Sequence, residues 1–296
     1  MRIARFDEGR IGVVLGDEVA DVTDALRVDP TQWPPVAPNQ LIAGWPSYAR
    51  VIAEVVAEAP RRPLSSVVLR TPVPFASKVV AYPVNYHDHG REMQASYRAS
   101  NQGFFLKPPS SLSGAGEPVV LPVVPGREVH HESELAIVIG KGGRDIPRER
   151  WADHVFGYAC LLDMVVRGRE ERVFRKAFDT FCPVGPWITT ADEVGDPTAI
   201  GVRLWVNDEL RQDASTRDLV LDIPGMIEMA SSVMTLHPGD IIATGTPAGV
   251  GPVVDGDRIR IEIERVGAMT VDVVQGTGGH CTVFDEPYTP DIVKQS

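Results

Sequence analysis

Short runs of aliphatic and β-branched residues, many of them ended by glycine or proline, recur along the chain and limit the folds open to it. Helical patterns are few, and strands do not alternate with helices as they do in a doubly wound parallel sheet. The chain also contains no internal repeat. This pattern predicts an α+β, β-rich fold.

Residues 1–72 are predicted to form a small N-terminal domain, and residues 73–296 a larger one. Residues 2–6 and 11–15 have the pattern of a β-hairpin. A proline-rich loop follows, and then a helical pattern over 48–58 that Pro60 ends. Nothing in this first unit indicates chemistry, so the functional site is expected in the larger domain.

Charge and cysteine content exclude several classes of protein. The chain has 40 acidic and 29 basic residues, a net charge of −11, which argues against nucleic acid or an anionic membrane as a partner. No apolar run approaches the length of a membrane span, and the first residues lack the apolar core of a secretory signal. Cys160, Cys182 and Cys281 are odd in number and widely spaced, which indicates reduced thiols and a cytoplasmic protein.

Two acidic residues precede an apolar strand that is predicted to end at Gly140. Side chains alternate along a strand, so Glu132 and Glu134 are expected on one face, roughly 7 Å apart along the backbone. Such a pair can converge on one hard cation. The alternative is a polar strand end with both acids in water.

Two further segments place a charged residue in apolar surroundings. The predicted strand over 156–162 ends at Asp163, which is either a third metal ligand or the cap of the next turn. Lys107 closes another apolar strand, over 104–107. A buried lysine needs an anion or several acceptors, although its ammonium group can also remain in water while the stem is buried.

A histidine and a glutamate lie three residues apart in a predicted helix. At that spacing His89 and Glu92 share a face and can form a hydrogen bond, which makes the imidazole a stronger base for activating water. The alternative is an exposed helix start, capped by Asp88 or Asn85.

Three other segments have weaker patterns. The glycine-rich loop over 244–251 offers amides that could hold an oxyanion, but it lacks the lysine and spacing of a nucleotide-binding loop. The charge-dense run over 167–175 is interpreted as a solvated face. The chain after Gly276 is predicted to be a loose tail.

Taken in order, these segments resemble the fumarylacetoacetate hydrolase family over about residues 78–273. Each motif is modest, but their number and shared order make the resemblance specific. The motifs are Asn85-Tyr86-x-Asp88-His89-x-x-Glu92-Met93, Phe105-Leu106-Lys107-Pro108, His131-Glu132-x-Glu134-Leu135, Asp163, Lys176-x-Phe178-Asp179-Thr180-Phe181-Cys182-Pro183, Glu209-Leu210-Arg211-Gln212 and Thr244-Gly245-Thr246-Pro247-x-Gly249-Val250-Gly251.

The resemblance implies a mixed β-roll or sandwich, a homodimer, and cleavage of a C–C bond in a 2,4-dioxo acid to a 2-oxo acid and a carboxylate. It implies Mg²⁺ as the cofactor, with Mn²⁺ or Ca²⁺ as alternatives, and the metal would polarise the keto group of a small 2-oxo acid. Decarboxylation of a 2-oxo diacid, hydration, isomerisation and an inactive scaffold stay open. The implied roles are metal binding by Glu132, Glu134 and Asp163, water activation by His89 and Glu92, oxyanion stabilisation by Lys176, and substrate binding by Tyr86, Lys107, Arg167, Gln212 and Thr246.

The chain departs from the pattern of many relatives just after Asp163. Gly168 stands where they have an aspartate, Glu170 where they have a glutamine that often contacts substrate, and Ala177 where they have a serine. The segment from Asp163 to Lys176 is also shorter. These differences leave the metal ligands intact but are expected to remodel the wall that contacts the substrate.

Overall fold

The computed structural model describes residues 1–285, and this part of the chain is rich in strands. The predicted α+β, β-rich class is confirmed. In chain order the strands are β1 (Arg2–Phe6), β2 (Arg10–Leu15), β3 (Glu18–Asp21), β4 (Arg61–Pro63), β5 (Leu69–Arg70), β6 (Val79–Ala81), β7 (Phe105–Lys107), β8 (Leu112–Ser113), β9 (Val119–Leu121), β10 (Val129–His131), β11 (Ser133–Ile139), β12 (Val155–Leu162), β13 (Val165–Val166), β14 (Cys182–Thr190), β15 (Gly201–Val206), β16 (Glu209–Ser215), β17 (Ile241–Ala243), β18 (Gly251–Val253), β19 (Arg258–Ile263) and β20 (Gly267–Gln275).

The helices are short, and the longest two have eleven residues each. No helix in the described residues is both long and apolar enough to cross a membrane. The α-helices are α1 (Thr23–Leu26), α2 (Ala37–Ala43), α3 (Trp45–Val55), α4 (His87–Glu92), α5 (Ala99–Gln102), α6 (Arg172–Arg175), α7 (Ala191–Val194) and α8 (Ile223–Val233). Short 3₁₀ segments span Leu64–Ser66, Pro109–Ser111, Arg148–His154, Pro197–Ala199, Thr216–Asp218 and Thr282–Phe284.

The strands form three sheets. The largest has the order β4-β3-β2-β1-β14-β12-β11-β17-β6-β7, with β5 beside β1 and β8 beside β14. A five-stranded sheet has the order β16-β15-β19-β20-β9, and a small sheet joins β13, β10 and β18. Strand β11 therefore lies near the middle of the largest sheet, between β12 and β17.

Strand β11 is buried on both of its faces, which explains its unbroken apolar sequence. Leu135, Ile137 and Ile139 pack into a core shared with the five-stranded sheet and α8. Ala136 and Val138 face the opposite side and pack into a second core with α2 and α3. A strand enclosed in this way is a rigid support for side chains at its end.

The prediction that Glu132 lies within a strand is wrong. The chain leaves the three-stranded sheet at His131 and enters the large sheet at Ser133, so Glu132 lies between two strands. Strict alternation of faces therefore does not apply across it.

The predicted N-terminal hairpin is confirmed by the pairing of β1 with β2. On its other side β1 pairs with β14, with Arg2 opposite Thr189, so the hairpin extends the large sheet. The domain boundary at residue 72 stays a prediction. The helix predicted over 48–58 is present as α3.

The predicted loose tail is wrong for Phe284, which is buried and packs on the rings of Phe174 and Phe178. The rest of that predicted tail, from residue 286, lies outside the described residues.

Asp240 links the start of β17 to the start of β6 through hydrogen bonds. Its fully buried carboxylate accepts hydrogen bonds from Ser77 Oγ at 2.6 Å, Lys78 Nζ at 2.5 Å and the amide of His237 at 2.7 Å. The two strands then run parallel, with Ile241 opposite Val79. Their ends lead into the segments that carry His89 and Thr246, so Asp240 sets the relative position of these segments.

We expect Asp240→Ala to lower the free energy of unfolding by about 2–4 kcal/mol, because Lys78, with a side chain that is 15% exposed, and the amide of His237 lose their acceptor. Asp213→Ala is the matched control: it breaks a half-exposed ion pair with Arg203 and should cost less than about 1 kcal/mol. Urea unfolding of the two variants and the parent measures both changes. Equal losses would contradict the role given to Asp240.

Candidate metal and catalytic site

Three buried carboxylates meet where β11 and β12 lie side by side. Glu134 belongs to β11, Glu132 precedes it, and Asp163 follows β12. The antiparallel register continues past the pair Ser133 and Leu162, and the amide of Asp163 donates to the carbonyl oxygen of Glu132 at 2.9 Å. One oxygen from each carboxylate lies within 4.8 Å of the others. The predicted convergence of these acids is present, although a change of sheet rather than strand alternation directs Glu132.

Two buried lysines hold the carboxylates together. Lys176 Nζ donates to Glu132 Oε2 at 2.7 Å and to Asp163 Oδ2 at 2.5 Å. Lys107 Nζ donates to Asp163 Oδ1 at 2.5 Å and also to the carbonyl oxygens of Lys176 and Phe181. Each carboxylate oxygen of Asp163 therefore accepts a hydrogen bond from an ammonium group. The alternative in which the ammonium group of Lys107 stays in water is wrong.

Glu134 is held by a backbone amide rather than by a lysine. Its Oε2 accepts a hydrogen bond from the amide of Gly245 at 2.6 Å. Burial and the nearby charge of Asp163 nevertheless raise the pKa of Glu134 well above its usual value. For Glu132, the Lys176 and Arg167 charges outweigh the effect of burial and lower the pKa.

A divalent cation fits this environment. Three carboxylates with oxygens within 4.8 Å of one another form the oxygen-only donor set that Mg²⁺, Mn²⁺ and Ca²⁺ prefer. A cation would also remove the penalty for ionising Glu134.

The predicted pair of His89 and Glu92 is formed on α4. His89 Nδ1 lies 2.9 Å from Glu92 Oε2, and the amide of Gly249 donates to Glu92 Oε1 at 2.9 Å. Burial opposes ionisation of Glu92, but these two hydrogen bonds hold its pKa below the usual value. His89 is 6% exposed, so the alternative of a solvated helix start is wrong for this residue. Because an ionised carboxylate only accepts, Nδ1 donates this hydrogen bond, and in a neutral imidazole the lone pair is then on Nε2.

The loop over 244–251 connects the carboxylates to the histidine. Two of its amides, those of Gly245 and Gly249, donate hydrogen bonds to Glu134 and Glu92. These two amides are therefore not the oxyanion donors that the sequence offered. Thr246 Oγ1 accepts from Gln212 Nε2 at 2.8 Å, and Gln212 Oε1 accepts from the amide of Ser133. Gly249 has a φ of +97°, and a Cβ there would lie 1.9 Å from the carbonyl oxygen of Arg211, so only glycine fits.

A cavity of about 320 Å³ opens over these groups. Four predicted site residues do not line it: Glu92 contacts His89 from outside, Lys107 lies behind Asp163, Gln212 lies behind Thr246, and Tyr86 is 1% exposed. Burial and the neighbouring Glu134 raise the pKa of Tyr86. The predicted site residues that do line the cavity are His89, Glu132, Glu134, Asp163, Arg167, Lys176 and Thr246.

Comparison with known proteins identifies the family of this chain. The family model described as fumarylacetoacetate (FAA) hydrolase C-terminal matches residues 78–274, two thirds of the chain. The chain belongs to the fumarylacetoacetate hydrolase family. The resemblance carried by the sequence motifs is therefore confirmed.

Two similar proteins cover nearly the whole chain, and a third covers two thirds of it. A maleylpyruvate hydrolase of Aquipseudomonas alcaligenes is 46% identical over 285 residues, which are 92% of this chain and 99% of the relative. The crystal structure of maleylpyruvate hydrolase from Sphingobium sp. SYK-6, in complex with manganese(II) and pyruvate, is 65% identical with a TM-score of 0.87 and covers 94% of this chain and 100% of its own. A mitochondrial oxaloacetate tautomerase of Mus musculus is 37% identical over 207 residues, 67% of this chain and 92% of the relative.

The charge-dense run after Asp163 was expected to be a solvated face, and this is wrong for four of its residues, Glu170 and three arginines. Arg167, Arg172 and Arg175 are only partly exposed and line the cavity, together with Tyr97 from the loop after α4. The spacing of three between Arg172 and Arg175, just before Lys176, is the signal that could have placed them on one face.

The two departures from the family pattern in this run depend on each other. Glu170 turns to Arg127, whose Nη2 donates to Glu170 Oε1 at 2.9 Å, and it does not line the cavity. A Cβ at position 168 would lie 2.0 Å from Glu170 Oε2, so Gly168 makes room for the glutamate. In this run the wall of the cavity is therefore formed by the arginines that follow, Arg172 and Arg175.

We expect Glu134→Gln to weaken binding of Mn²⁺ by more than about 100-fold, because even residues outside the ligand set typically change affinity 10- to 100-fold. Glu149→Gln, at an exposed position on the 3₁₀ segment Arg148–His154, is the matched control and should bind as the parent does. Calorimetric titration with MnCl₂ measures the affinities. Parent-like binding by the Glu134 variant would contradict the assigned metal site.

Proposed function

We propose that this protein is a metal-dependent hydrolase of acylpyruvates, cleaving a C–C bond of a 2,4-dioxo acid to a 2-oxo acid and a carboxylate. The observation that carries the proposal is that a buried His89–Glu92 pair and a cluster of three carboxylates line or border one cavity. Two relatives that span almost the whole chain are named maleylpyruvate hydrolases, which supports it.

Glu132, Glu134 and Asp163 would hold the divalent ion, with Mg²⁺ as the proposed physiological metal and Mn²⁺ or Ca²⁺ as alternatives. A manganese ion in the relative from Sphingobium supports a divalent metal of this type. Such an ion would supply Lewis-acid polarisation of the substrate's 2-keto oxygen when bound.

His89 would act as the base for water. Nε2 takes a proton from water, while Glu92 orients the ring through Nδ1 and stabilises the imidazolium that forms. The water oxygen bonds to the carbon of the 4-keto group and the bond between C3 and C4 breaks. The electron pair leaves with C3, which takes up the proton from His89.

The remaining predicted residues would bind and orient the substrate. Lys176 presents an ammonium group to developing negative charge on oxygen, and Thr246 would hold the 2-oxo acid carboxylate. Arg167 faces the same cavity. We propose that Lys107 and Gln212 act indirectly, by positioning Asp163 and Thr246.

We also propose a homodimer in the cytoplasm. In the described residues all three cysteines are free, which supports a reducing compartment.

A second candidate function is tautomerisation or decarboxylation of a 2-oxo diacid such as oxaloacetate. It is favoured by the similarity to an oxaloacetate tautomerase, and the same metal site would serve it. These reactions do not require an activated water. Comparing their rates with the rate of acylpyruvate hydrolysis therefore tests whether His89 acts as the base for water.

We expect His89→Asn to lower kcat for acylpyruvate hydrolysis about 10²- to 10⁴-fold, the usual contribution of a general base. Conversion of oxaloacetate by the same variant should fall much less. Initial rates are measured on a panel of acylpyruvates, including maleylpyruvate, and on oxaloacetate, with Mg²⁺ and with chelator.

His87→Asn, at an exposed position on the same helix, is the control and should leave both rates unchanged. Chelator should abolish hydrolysis, and added Mg²⁺ should restore it. A parent protein that turns over oxaloacetate but hydrolyses no acylpyruvate would favour the second candidate. Failure with every substrate would favour an inactive scaffold.

A further inference from the structure

The direction of the Arg167 side chain is set from outside the cavity. Arg167 follows β13, is partly exposed and lines the cavity beside the carboxylates. Its Nη1 lies 3.8 Å from Glu132 Oε1, which is too long for a hydrogen bond. This ion pair attracts the guanidinium but does not fix its plane.

The pairing of β10 with β13 brings three polar side chains onto one face of the small sheet. Val129 lies opposite Val166 in this pairing. The next amide, that of Arg167, donates to the carbonyl oxygen of Glu128 at 2.8 Å, which continues the register. Side chains alternate along a strand, so His130 shares the face of Glu128 and is the diagonal neighbour of Arg167.

His130 joins the two charged residues through its ring. Arg167 Nε donates to His130 Nδ1 at 2.9 Å, and His130 Nε2 lies 2.9 Å from Glu128 Oε2. A guanidinium only donates, so Nδ1 accepts and carries no hydrogen, and the hydrogen of the ring is on Nε2, which donates to Glu128. The side chain of His130 is 14% exposed and does not line the cavity, whereas that of Glu128 is 65% exposed. The three residues therefore form a chain of hydrogen bonds that runs from the surface to the cavity.

We propose that His130 is a positioning residue that directs Arg167 into the cavity, and that Glu128 selects the tautomer of His130 that can do so. The inference rests on the proposed function, in which Arg167 binds substrate, and adds two residues outside the cavity. Because the bond to His130 uses Nε, the terminal nitrogens of Arg167 are left for Glu132 and for a ligand. An arginine side chain has many rotamers, and fixing it beforehand lowers the cost of ordering it when substrate binds.

The tautomer is tested by NMR on protein labelled with ¹⁵N in its histidines and loaded with Mg²⁺, which is diamagnetic. At a pH well above the usual pKa of histidine, we expect the ring of His130 to carry its hydrogen on Nε2 and none on Nδ1. The spectrum of His130→Asn assigns the signal, because the signal is lost in this variant. A hydrogen on Nδ1 would overturn the inference, since Arg167 Nε could not then donate to that atom.

Kinetics with maleylpyruvate test the effect on Arg167. We expect His130→Leu to raise KM about 10-fold and to change kcat less than about 3-fold, because Arg167 loses its fixed direction but still faces the substrate. His130→Asn places an amide oxygen near the position of Nδ1 and should keep most of the parent's KM. His280→Leu is the matched control, since this histidine also lies beside an acid, Asp285, but is 53% exposed and does not line the cavity. Its KM should equal that of the parent.

A double variant separates positioning from a general structural effect. Once Arg167→Met has removed the guanidinium, His130→Leu has nothing to orient and should raise KM no further. An unchanged KM in His130→Leu would overturn the inference, and so would a further rise in the Arg167→Met background. Failure of the parent to hydrolyse any acylpyruvate would end the proposed function. The NMR measurement needs no turnover, so it supports or overturns the inference separately.

Discussion

Mutual repulsion among Glu132, Glu134 and Asp163 is the constraint on which the structure of the surrounding region depends. Three carboxylates removed from water at this separation are unstable unless positive charge is brought to them. The chain brings Lys107 from one edge strand and Lys176 from the end of α6. Both lysines are buried, and each donates a hydrogen bond to a carboxylate of the cluster.

The surrounding sheets make this arrangement rigid. Strand β11 is packed on both faces, and β12 runs beside it along nearly its full length. The ends of these two strands therefore carry the acids on an immobile support. His89 and the arginines Arg172 and Arg175 lie instead on short helices outside the sheets.

The sequence was sufficient to predict the parts of the site that depend on local pattern. A run of aliphatic residues ending at Asp163, and the spacing of His89 and Glu92, are short-range signals, and both predictions are confirmed in geometry. Alternation failed at Glu132, because the change from one sheet to another depends on pairing with distant strands. The same reason explains Arg172 and Arg175: whether a charged run faces water or a cavity depends on what packs against it, such as Tyr97 and Phe105.

The loop over 244–251 has a consequence for how activity in this family can vary. Its Gly245 amide donates to Glu134 of the carboxylate cluster, and its Gly249 amide donates to Glu92, the partner of the proposed base. The backbone between these two glycines, which are four positions apart, therefore sets the distance between the carboxylate cluster and the His89–Glu92 pair. An insertion or deletion in that span would displace the cluster and the pair relative to each other without changing any of their side chains.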